Sequence, residues 1–200
     1  LGFLGLGVMG GPMARNLVKA GYSVTGFDTD GGRLDRFVAA GGKRAASVAE
    51  VGRAAEVIFL SLPTGDVVRQ VVLAADGLLS SMRAGALIAD LSTTEAKVAQ
   101  ECAAAAAARQ IVFLDAPVSG GEQGALDAAL SIMVGGDAEG FARVQPLLAR
   151  LGRSVVHMGG SGMGQATKLI NNMIVAANFA AVCEAWALAT KVGLDPATLH

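Results

Sequence analysis

The sequence predicts an α/β protein with a doubly wound, mostly parallel sheet, followed by the start of an all-helical C-terminal domain. Short apolar runs bounded by Gly, Pro and Asp alternate with longer stretches whose apolar residues recur at helical spacing. The short runs are almost continuously apolar, which is typical of strands buried on both faces of a parallel sheet. Beyond Gly162 the strand pattern stops, and residues 163–193 form one long helical run.

Strand and helix candidates alternate along residues 1–160, the predicted first domain. Each strand–helix–strand unit implies a right-handed crossover, which places helices on both faces of the sheet. The strand candidates are residues 1–5, 23–28, 56–62, 86–91, 111–116, 130–136 and 154–159. The helix candidates lie near residues 10–20, 31–40, 47–54, 64–74, 93–108 and 138–150.

A second, helical domain is predicted over residues 161–200. Gly193 lies near the end of its long helix, Asp195 has the residue type of an N-cap, and Pro196 suits the first position of another helix. Because this segment closes no unit of its own, we expect the helical domain to be truncated in this chain.

The composition argues against several classes of partner. Sixteen Lys and Arg residues balance seventeen Asp and Glu residues, so no basic face for nucleic acid is expected. We see no apolar run of the roughly 18 residues that a membrane span needs. Only two cysteines occur, Cys102 and Cys183, and no cluster has the spacing of metal ligands. We therefore expect reduced thiols, a cytoplasmic location, no membrane and no metal.

A glycine loop between the first strand and the first helix fits the pattern G-x-G-x-x-G, and its position indicates a Rossmann-like dinucleotide site. Gly5 would allow the tight turn, Gly7 would let the backbone approach a pyrophosphate, and Gly10 would let the helix pack on the strand. The helix N-terminus would attract the phosphates. The predicted cofactor-binding residues here are Gly5, Leu6, Gly7, Val8, Met9 and Gly10.

Asp28 ends the second strand, 18 residues after Gly10. A carboxylate at this place can accept hydrogen bonds from the adenosine ribose hydroxyls and would repel a 2′-phosphate, which favours NAD over NADP. Arg33 follows five residues later and leaves NADP open. A simple role in the turn is the alternative for Asp28.

Four stretches together resemble one protein family, the β-hydroxyacid dehydrogenases: GLGVMGGPMARNL (5–17), SLPT (61–64), DAPVSGG (115–121) and GMGQATKLINNM (162–173). The resemblance covers essentially the whole chain. It implies an NAD(P)-dependent oxidoreductase that acts on the β-hydroxyl of a short 3-hydroxyacid and assembles as a homodimer or homotetramer. The branch it resembles most is 3-hydroxyisobutyrate dehydrogenase. Tartronate semialdehyde reductase is one alternative, and a non-catalytic dinucleotide-binding module is another.

The family motifs also indicate residues for the substrate. Consecutive glycines after a strand can expose backbone N–H groups, and the resemblance implies that Ser119, Gly120 and Gly121 bind the substrate carboxylate. Lys168 has apolar and amide neighbours and no acidic residue one turn away, so desolvation would favour its neutral amine. The resemblance makes Lys168 the general acid/base. Asn172, one turn later on the same helix face, would hydrogen-bond the substrate.

Two turns are expected to face the nicotinamide, as the resemblance implies. The first is Leu62, Pro63 and Thr64, after the strand of residues 56–62. The second contains Thr93, after the strand of residues 86–91. For both Thr64 and Thr93, capping of the next helix is the structural alternative. His157 lies inside a strand candidate without a nearby acidic partner, so we predict a structural role for it.

Overall fold

The computed structural model describes residues 1–199. Its contacts divide the chain into two compact units, Leu1–Lys168 and a second unit that begins at Leu169.

The first unit is built on one sheet of strands β1 (Gly2–Leu4), β2 (Thr25–Phe27), β3 (Lys43–Arg44), β4 (Val57–Leu60), β5 (Leu87–Asp90), β6 (Val112–Asp115), β7 (Val118–Ser119), β8 (Leu130–Gly135) and β9 (Gly152–Gly159). Their order in the sheet is β3-β2-β1-β4-β5-β6-β8-β7, with β9 beside β8. Along this order the neighbours from β3 through β2, β1, β4 and β5 to β6 are parallel. Strand β8 runs antiparallel to β6 and β7, and β9 is parallel to β8. The predicted mostly parallel, doubly wound sheet is therefore confirmed.

Helices cover both faces of this sheet and bury two separate apolar cores. Because successive residues of a strand point to opposite faces, Phe3 belongs to one core and Leu4 to the other. The helices are α1 (Gly10–Lys19), α2 (Gly31–Ala39), α3 (Val48–Ala54), α4 (Gly65–Leu73), α5 (Leu78–Ser81), α6 (Ala96–Ala107), α7 (Gly121–Leu126), α8 (Ala138–Leu148), α9 (Met163–Lys191) and a 3-10 helix (Pro196–Leu199).

Four short elements were not expected from the sequence: β3, β7, α5 and α7. Each has two to six residues, which is too short for a hydrophobic period to show. Two of them matter for the site, because β7 and α7 contain the Ser119–Gly121 turn. The antiparallel direction of β8 also comes from tertiary pairing, since β6 and β8 are separated by this β7–α7 excursion.

The second unit consists of the rest of α9 and the 3-10 helix. Asp195 Oδ1 accepts a hydrogen bond from Ala197 N (3.0 Å), as expected for a capping residue. The expectation that no run is long and apolar enough to span a membrane is wrong for α9. By length and composition this helix could cross one, since its most apolar window has a mean hydropathy of 1.5, and 6% of that window is buried within the described chain. Its exposed apolar side chains include Leu169, Ile170, Met173, Ile174, Val175, Phe179, Val182, Trp186 and Leu188.

Candidate active site

The glycine loop joins β1 to α1, and each of its three motif positions requires glycine for a different physical reason. Gly5 has a φ of +88°, and a Cβ there would lie 2.2 Å from the carbonyl oxygen of Ser61. A Cβ on Gly10 would lie 1.9 Å from the carbonyl oxygen of Gly5. A Cβ on Gly7, in contrast, would meet only the Arg33 guanidinium, at 3.7 Å. The fold itself therefore requires Gly5 and Gly10, whereas Gly7 keeps open a space that a ligand can fill.

This space belongs to a cleft of about 610 Å³ at the carboxyl ends of β1, β2 and β4, a volume in the usual range for ligand sites. Leu6 does not line it, because its side chain is 4% exposed and packs in the core. The residues predicted for the cofactor that do line the cleft are Gly5, Gly7, Val8, Met9, Gly10, Asp28, Leu62 and Pro63.

Asp28 ties the end of β2 to the glycine loop. Its Oδ2 accepts a hydrogen bond from Leu6 N (2.6 Å), and its Oδ1 accepts one from Asp30 N (2.8 Å). The Arg33 guanidinium lies 3.6 Å from Oδ1. A carboxylate can accept about four hydrogen bonds, so Asp28 retains capacity for ribose hydroxyls while it holds the loop. Residues that would bind the adenosine half of a dinucleotide and its phosphates thus share one cleft.

The Leu62–Thr64 turn follows β4. Leu62 N donates to Ser92 Oγ (2.9 Å), which connects this turn to the segment after β5. Thr64 is the N-cap of α4, and its Oγ1 accepts from Val67 N at 3.3 Å. Thr64 therefore has the capping role that was its structural alternative, and of this turn only Leu62 and Pro63 line the cleft.

The segment after β5 leaves Thr93 exposed between two buried neighbours, Ser92 and Thr94. Helix α6 has Glu95 at its N-cap position and no side-chain cap, so the capping alternative for Thr93 does not apply. Gln165 holds both neighbours, because its Oε1 accepts from Thr94 N (2.9 Å) and its Nε2 donates to Ser92 O (2.8 Å).

The predicted carboxylate-binding turn follows β6. Ser119 ends the two-residue strand β7, opposite Ser131 of β8. Gly120 and Gly121 have φ values of +135° and +62°, a region of backbone conformation that glycine adopts at no steric cost. Asn16 of α1 donates to the carbonyl oxygen of Ala125 (2.8 Å), which connects the helix after the glycine loop to the helix after this turn.

Asp115, the first residue of the DAPVSGG stretch, holds the start of α9. Its Oδ1 accepts from Gly162 N (2.8 Å) and its Oδ2 from Gln165 N (2.9 Å), so a strand-end carboxylate caps a helix nearly fifty residues away. Negative charge at a helix N-terminus is electrostatically favourable. Gly164 allows the close approach, since a Cβ there would lie 2.4 Å from Met133 O.

Lys168 lies one turn after Gln165 on α9 and is half-buried. Desolvation lowers the pKa of its amine below the usual lysine value. None of the ion pairs among the described residues includes Lys168. Its environment therefore favours the neutral amine that proton transfer from a hydroxyl requires. Asn172 follows four residues later in α9, within the second unit, and is exposed.

Two buried carboxyl groups lie side by side at the ends of β5 and β6, where Asp90 is the register partner of Asp115. Both are 0% exposed. Burial raises the pKa of Asp90 to about 7, and burial also raises the pKa of Asp115. Sequence reasoning missed Asp90, Asp115, Ser92 and Gln165 as site residues. The available signal was the aspartate that ends each of two consecutive buried strands, because such ends meet at one edge of a parallel sheet.

His157 has structural partners, in line with its predicted role. Its Nε2 makes a 2.9 Å hydrogen bond with Gly136 O, and its ring stacks on Phe141 with centroids 5.1 Å apart. Within the described part of the chain, no group of three or more His, Cys, Asp or Glu side chains is arranged to hold a metal ion.

Two known protein families match consecutive parts of the chain. Residues 1–160 match the family described as the NAD binding domain of 6-phosphogluconate dehydrogenase. Residues 162–200 match the family described as NAD-binding of NADP-dependent 3-hydroxyisobutyrate dehydrogenase. The chain belongs to the β-hydroxyacid dehydrogenase family. The resemblance inferred from the four sequence motifs is thereby confirmed.

Individual β-hydroxyacid dehydrogenases align with the whole chain. The chain is 46% identical over 199 residues to a 3-hydroxyisobutyrate dehydrogenase of Pseudomonas aeruginosa, covering all of this chain and 67% of that protein. It is 41% identical over 199 residues to an NAD-dependent L-serine dehydrogenase of the same organism, again with 100% and 67% coverage.

A solved structure of the same family has the same fold. The Mycobacterium tuberculosis 3-hydroxyisobutyrate dehydrogenase, described with L-serine, superposes with a TM-score of 0.91 and 41% identity, over 97% of this chain and 66% of that one. The chain thus spans about two thirds of the length of the family members that it matches.

Proposed function

We propose that the protein is an NAD-dependent oxidoreductase that transfers hydride between the cofactor and the β-hydroxyl carbon of a short 3-hydroxyacid, most like 3-hydroxyisobutyrate dehydrogenase. The observation that carries the proposal is the half-buried Lys168, whose pKa is lowered by desolvation at the start of a helix anchored to the family's DAPVSGG stretch. When bound, the nicotinamide supplies or accepts the hydride.

The chain's own residues handle the proton and the orientation of the substrate. The neutral Lys168 amine takes the hydroxyl proton during oxidation and returns it during reduction. Ser119 and the backbone N–H groups of Gly120 and Gly121 bind the substrate carboxylate. Asn172 hydrogen-bonds the substrate near the reacting carbon. Together these groups would hold the hydroxyl beside the base, which removes much of the entropic cost of the reaction.

NAD is the cofactor that we propose over NADP. The Asp28 side chain is 5% exposed and lies at the end of β2 beside the glycine loop, so a 2′-phosphate there would meet a poorly solvated negative charge. Arg33, which lies 3.6 Å from Asp28 Oδ1, is the residue that would offset this repulsion. The name of the L-serine dehydrogenase relative supports NAD, whereas the description of the second matching family supports NADP.

The substrate class is a 3-hydroxy carboxylic acid with a small substituent on its second carbon. The relatives at 46% and 41% identity are named for 3-hydroxyisobutyrate and L-serine, which differ by a methyl and an amino group at that carbon. Tartronate semialdehyde reduction is the alternative within the family. A dinucleotide-binding module without catalysis is the alternative of another class.

The test follows the absorbance of the reduced cofactor, NADH or NADPH, in both directions on the whole protein. The panel contains 3-hydroxyisobutyrate, L-serine, glycerate, tartronate semialdehyde and 6-phosphogluconate, each with NAD and with NADP. Turnover of 3-hydroxyisobutyrate above the others, with NAD preferred, is the expected result. Tight NAD binding without turnover of any panel member would instead support the non-catalytic module.

A lysine variant tests the mechanism. We expect Lys168→Met to lower kcat about 10²- to 10⁴-fold while NAD affinity is retained, since general acid–base catalysis contributes about that much. In the wild type, kcat/KM for oxidation should rise with pH through a pKa lower than that of an ordinary lysine, because oxidation needs the neutral amine. Lys97→Met, at an exposed position on α6, is the matched control. Near-full turnover by Lys168→Met would contradict the assignment.

We also propose that protein, not lipid, covers the apolar side chains of α9 in a homodimer or homotetramer. Asn171, Asn172 and Asn178 lie within this helix, and an amide group in hydrocarbon is costly unless it is hydrogen-bonded. Light scattering and vesicle flotation of the whole protein test the proposed assembly, and flotation with vesicles would contradict it.

A cytoplasmic location is proposed from the two free cysteines, Cys102 and Cys183.

A further inference from the structure

The side chain of Gln165 joins segments of the candidate site that are far apart in sequence. Its Oε1 accepts from Thr94 N (2.9 Å), and its Nε2 donates to Ser92 O (2.8 Å). Its own backbone N–H donates to Asp115 Oδ2 (2.9 Å). Gln165 is 0% exposed, so these bonds are made away from water. One residue therefore connects the ends of β5 and β6 to the first turn of α9.

The two amide contacts lie on either side of Thr93. Ser92 is 3% exposed and Thr94 is 6% exposed, whereas Thr93 between them is exposed. Because one planar amide group binds the carbonyl before Thr93 and the N–H after it, the backbone on both sides of Thr93 is held to the same rigid group. The residue that is expected to face the nicotinamide thus receives its position from Gln165.

Gln165 also belongs to the element that carries Lys168. Lys168 follows Gln165 by three positions, a rise of about 4.5 Å along one rigid helix. The start of that helix is held by the Asp115 carboxylate and by the close contact of Gly164 with Met133 O. A displacement of the Ser92–Thr94 segment relative to Lys168 therefore requires that the Gln165 amide bonds break.

We propose that Gln165 is a positioning residue that sets the place of Thr93, and hence of the nicotinamide, relative to the Lys168 amine. This role rests on the proposed dehydrogenase function. Gln165 is fully buried, so it acts through Thr93 and Lys168 and not by contact with the substrate. Hydride and proton transfer both depend on that relative placement, so its loss should lower turnover more than binding.

The first test does not depend on activity. Gln165→Met keeps a side chain of similar length and removes both amide hydrogen bonds. Hydrogen exchange of the whole protein without cofactor should show the Thr94 amide exchanging at least about tenfold faster, with the amides of β5 unchanged. Gln100→Met is the matched control, because Gln100 Nε2 donates to Ser161 O (3.4 Å), just before α9, without contact to the Thr93 segment. Unchanged protection of Thr94 in Gln165→Met would overturn the proposal.

The second test separates turnover from binding. Gln165→Met should lower kcat about 10- to 100-fold, as misplacement of reacting groups does, and should raise the primary deuterium isotope effect on kcat. The KM for NAD should change less than about twofold, because Asp28 and Gly7, which face the adenosine half and the phosphates, are untouched. A loss of fold stability alone would not raise the isotope effect.

Gln165→Glu provides a rescue. A protonated carboxyl can accept from Thr94 N and donate to Ser92 O, whereas the ionised form can only accept. The kcat of this variant, divided by that of the wild type, should therefore fall as pH rises through the titration of the new carboxyl. The charged groups nearest in the fold are common to both proteins: Asp115, which accepts from the backbone N–H of residue 165, Asp90, its register partner, and Lys168, one turn later on α9. A ratio that does not change with pH would overturn the proposed role.

The outcomes distinguish this proposal from the proposed function. A wild type that turns over none of the hydroxyacids would overturn the dehydrogenase assignment, and the positioning role with it. An active wild type together with a fully active Gln165→Met would overturn the positioning role alone. A faster Thr94 amide, a lower kcat and a pH-dependent Gln165→Glu support it.

Discussion

The buried carboxyl of Asp90 makes stability depend on pH in a way that can be calculated. Asp90 is 0% exposed at the end of β5, and its Oδ1 accepts from Ser92 N (3.0 Å) while its Oδ2 has no partner among the described residues. Burial is the main reason that its pKa is raised to about 7, and the neighbouring Asp115 adds to the effect. In the unfolded chain the ordinary value is 3.8.

The sign follows from the number of bound protons. Between pH 4 and pH 7 the native state holds a proton on Asp90 that the unfolded chain has lost, so the free energy of unfolding falls as pH rises and levels off above about pH 8. A difference of about three pKa units corresponds to roughly 4 kcal/mol over the full range, and to about 3 kcal/mol between pH 5 and pH 8.5.

Asp90→Asn removes this dependence. The amide keeps the acceptor for Ser92 N and stays neutral at every pH. The free energy of unfolding of the variant minus that of the wild type should therefore rise by about 3 kcal/mol between pH 5 and pH 8.5. Urea unfolding of both proteins at the two pH values measures this difference. Asp115 is present in both proteins, so its own contribution to the pH dependence largely cancels. Asp76→Asn, at an exposed position, is the control and should show no such gain. A difference between Asp90→Asn and the wild type that is equal at both pH values would refute this account.

Four glycine substitutions give further predictions. Gly7→Ala should leave the melting temperature of the free protein unchanged but weaken NAD binding about tenfold or more in a titration, because its Cβ would enter the cleft and not the protein, and each tenfold corresponds to 1.4 kcal/mol. Gly10→Ala should instead unfold at a lower temperature, because its Cβ would lie 1.9 Å from Gly5 O; equal melting of the two variants would contradict this distinction. Gly164→Ala should cost about 2 kcal/mol in urea unfolding through its 2.4 Å approach to Met133 O, whereas Gly160→Ala, with open space around its Cβ, should cost little.

Much of the candidate site was visible in local patterns. The position of G-x-G-x-x-G between a strand and a helix predicted the loop that lines the cleft. The position of Asp28 at the end of a strand predicted that its carboxylate would lie in the same cleft. The apolar and amide surroundings of Lys168 predicted that desolvation would lower its pKa. The structure places the loop and Asp28 at one cleft and lowers the pKa of Lys168, whereas cofactor and substrate binding by these residues stays a prediction. The spacing of glycines, the end of a strand and the neighbours of a lysine can each be read from a short stretch of sequence.

Contacts between distant segments were not visible in the same way. Gln165 bonds to residues 71 and 73 positions earlier, and Asp115 bonds to N–H groups 47 and 50 positions later. Their partners are backbone atoms, which every residue possesses, so no side-chain pattern marks them. The same holds for the carbonyl oxygen of Ser61, which would lie 2.2 Å from a Cβ on Gly5.

The sequence by itself thus determined the fold class, the family, the dinucleotide loop and the residue types that the chemistry needs, because hydrophobic period and short motifs are local. The tertiary structure alone decided that Thr64 caps a helix while Thr93 does not, that Gln165 and Asp115 join distant segments of the candidate site, and that Asp90 is buried beside Asp115. Those outcomes depend on strand register and helix placement, which bring together atoms that sequence spacing does not relate.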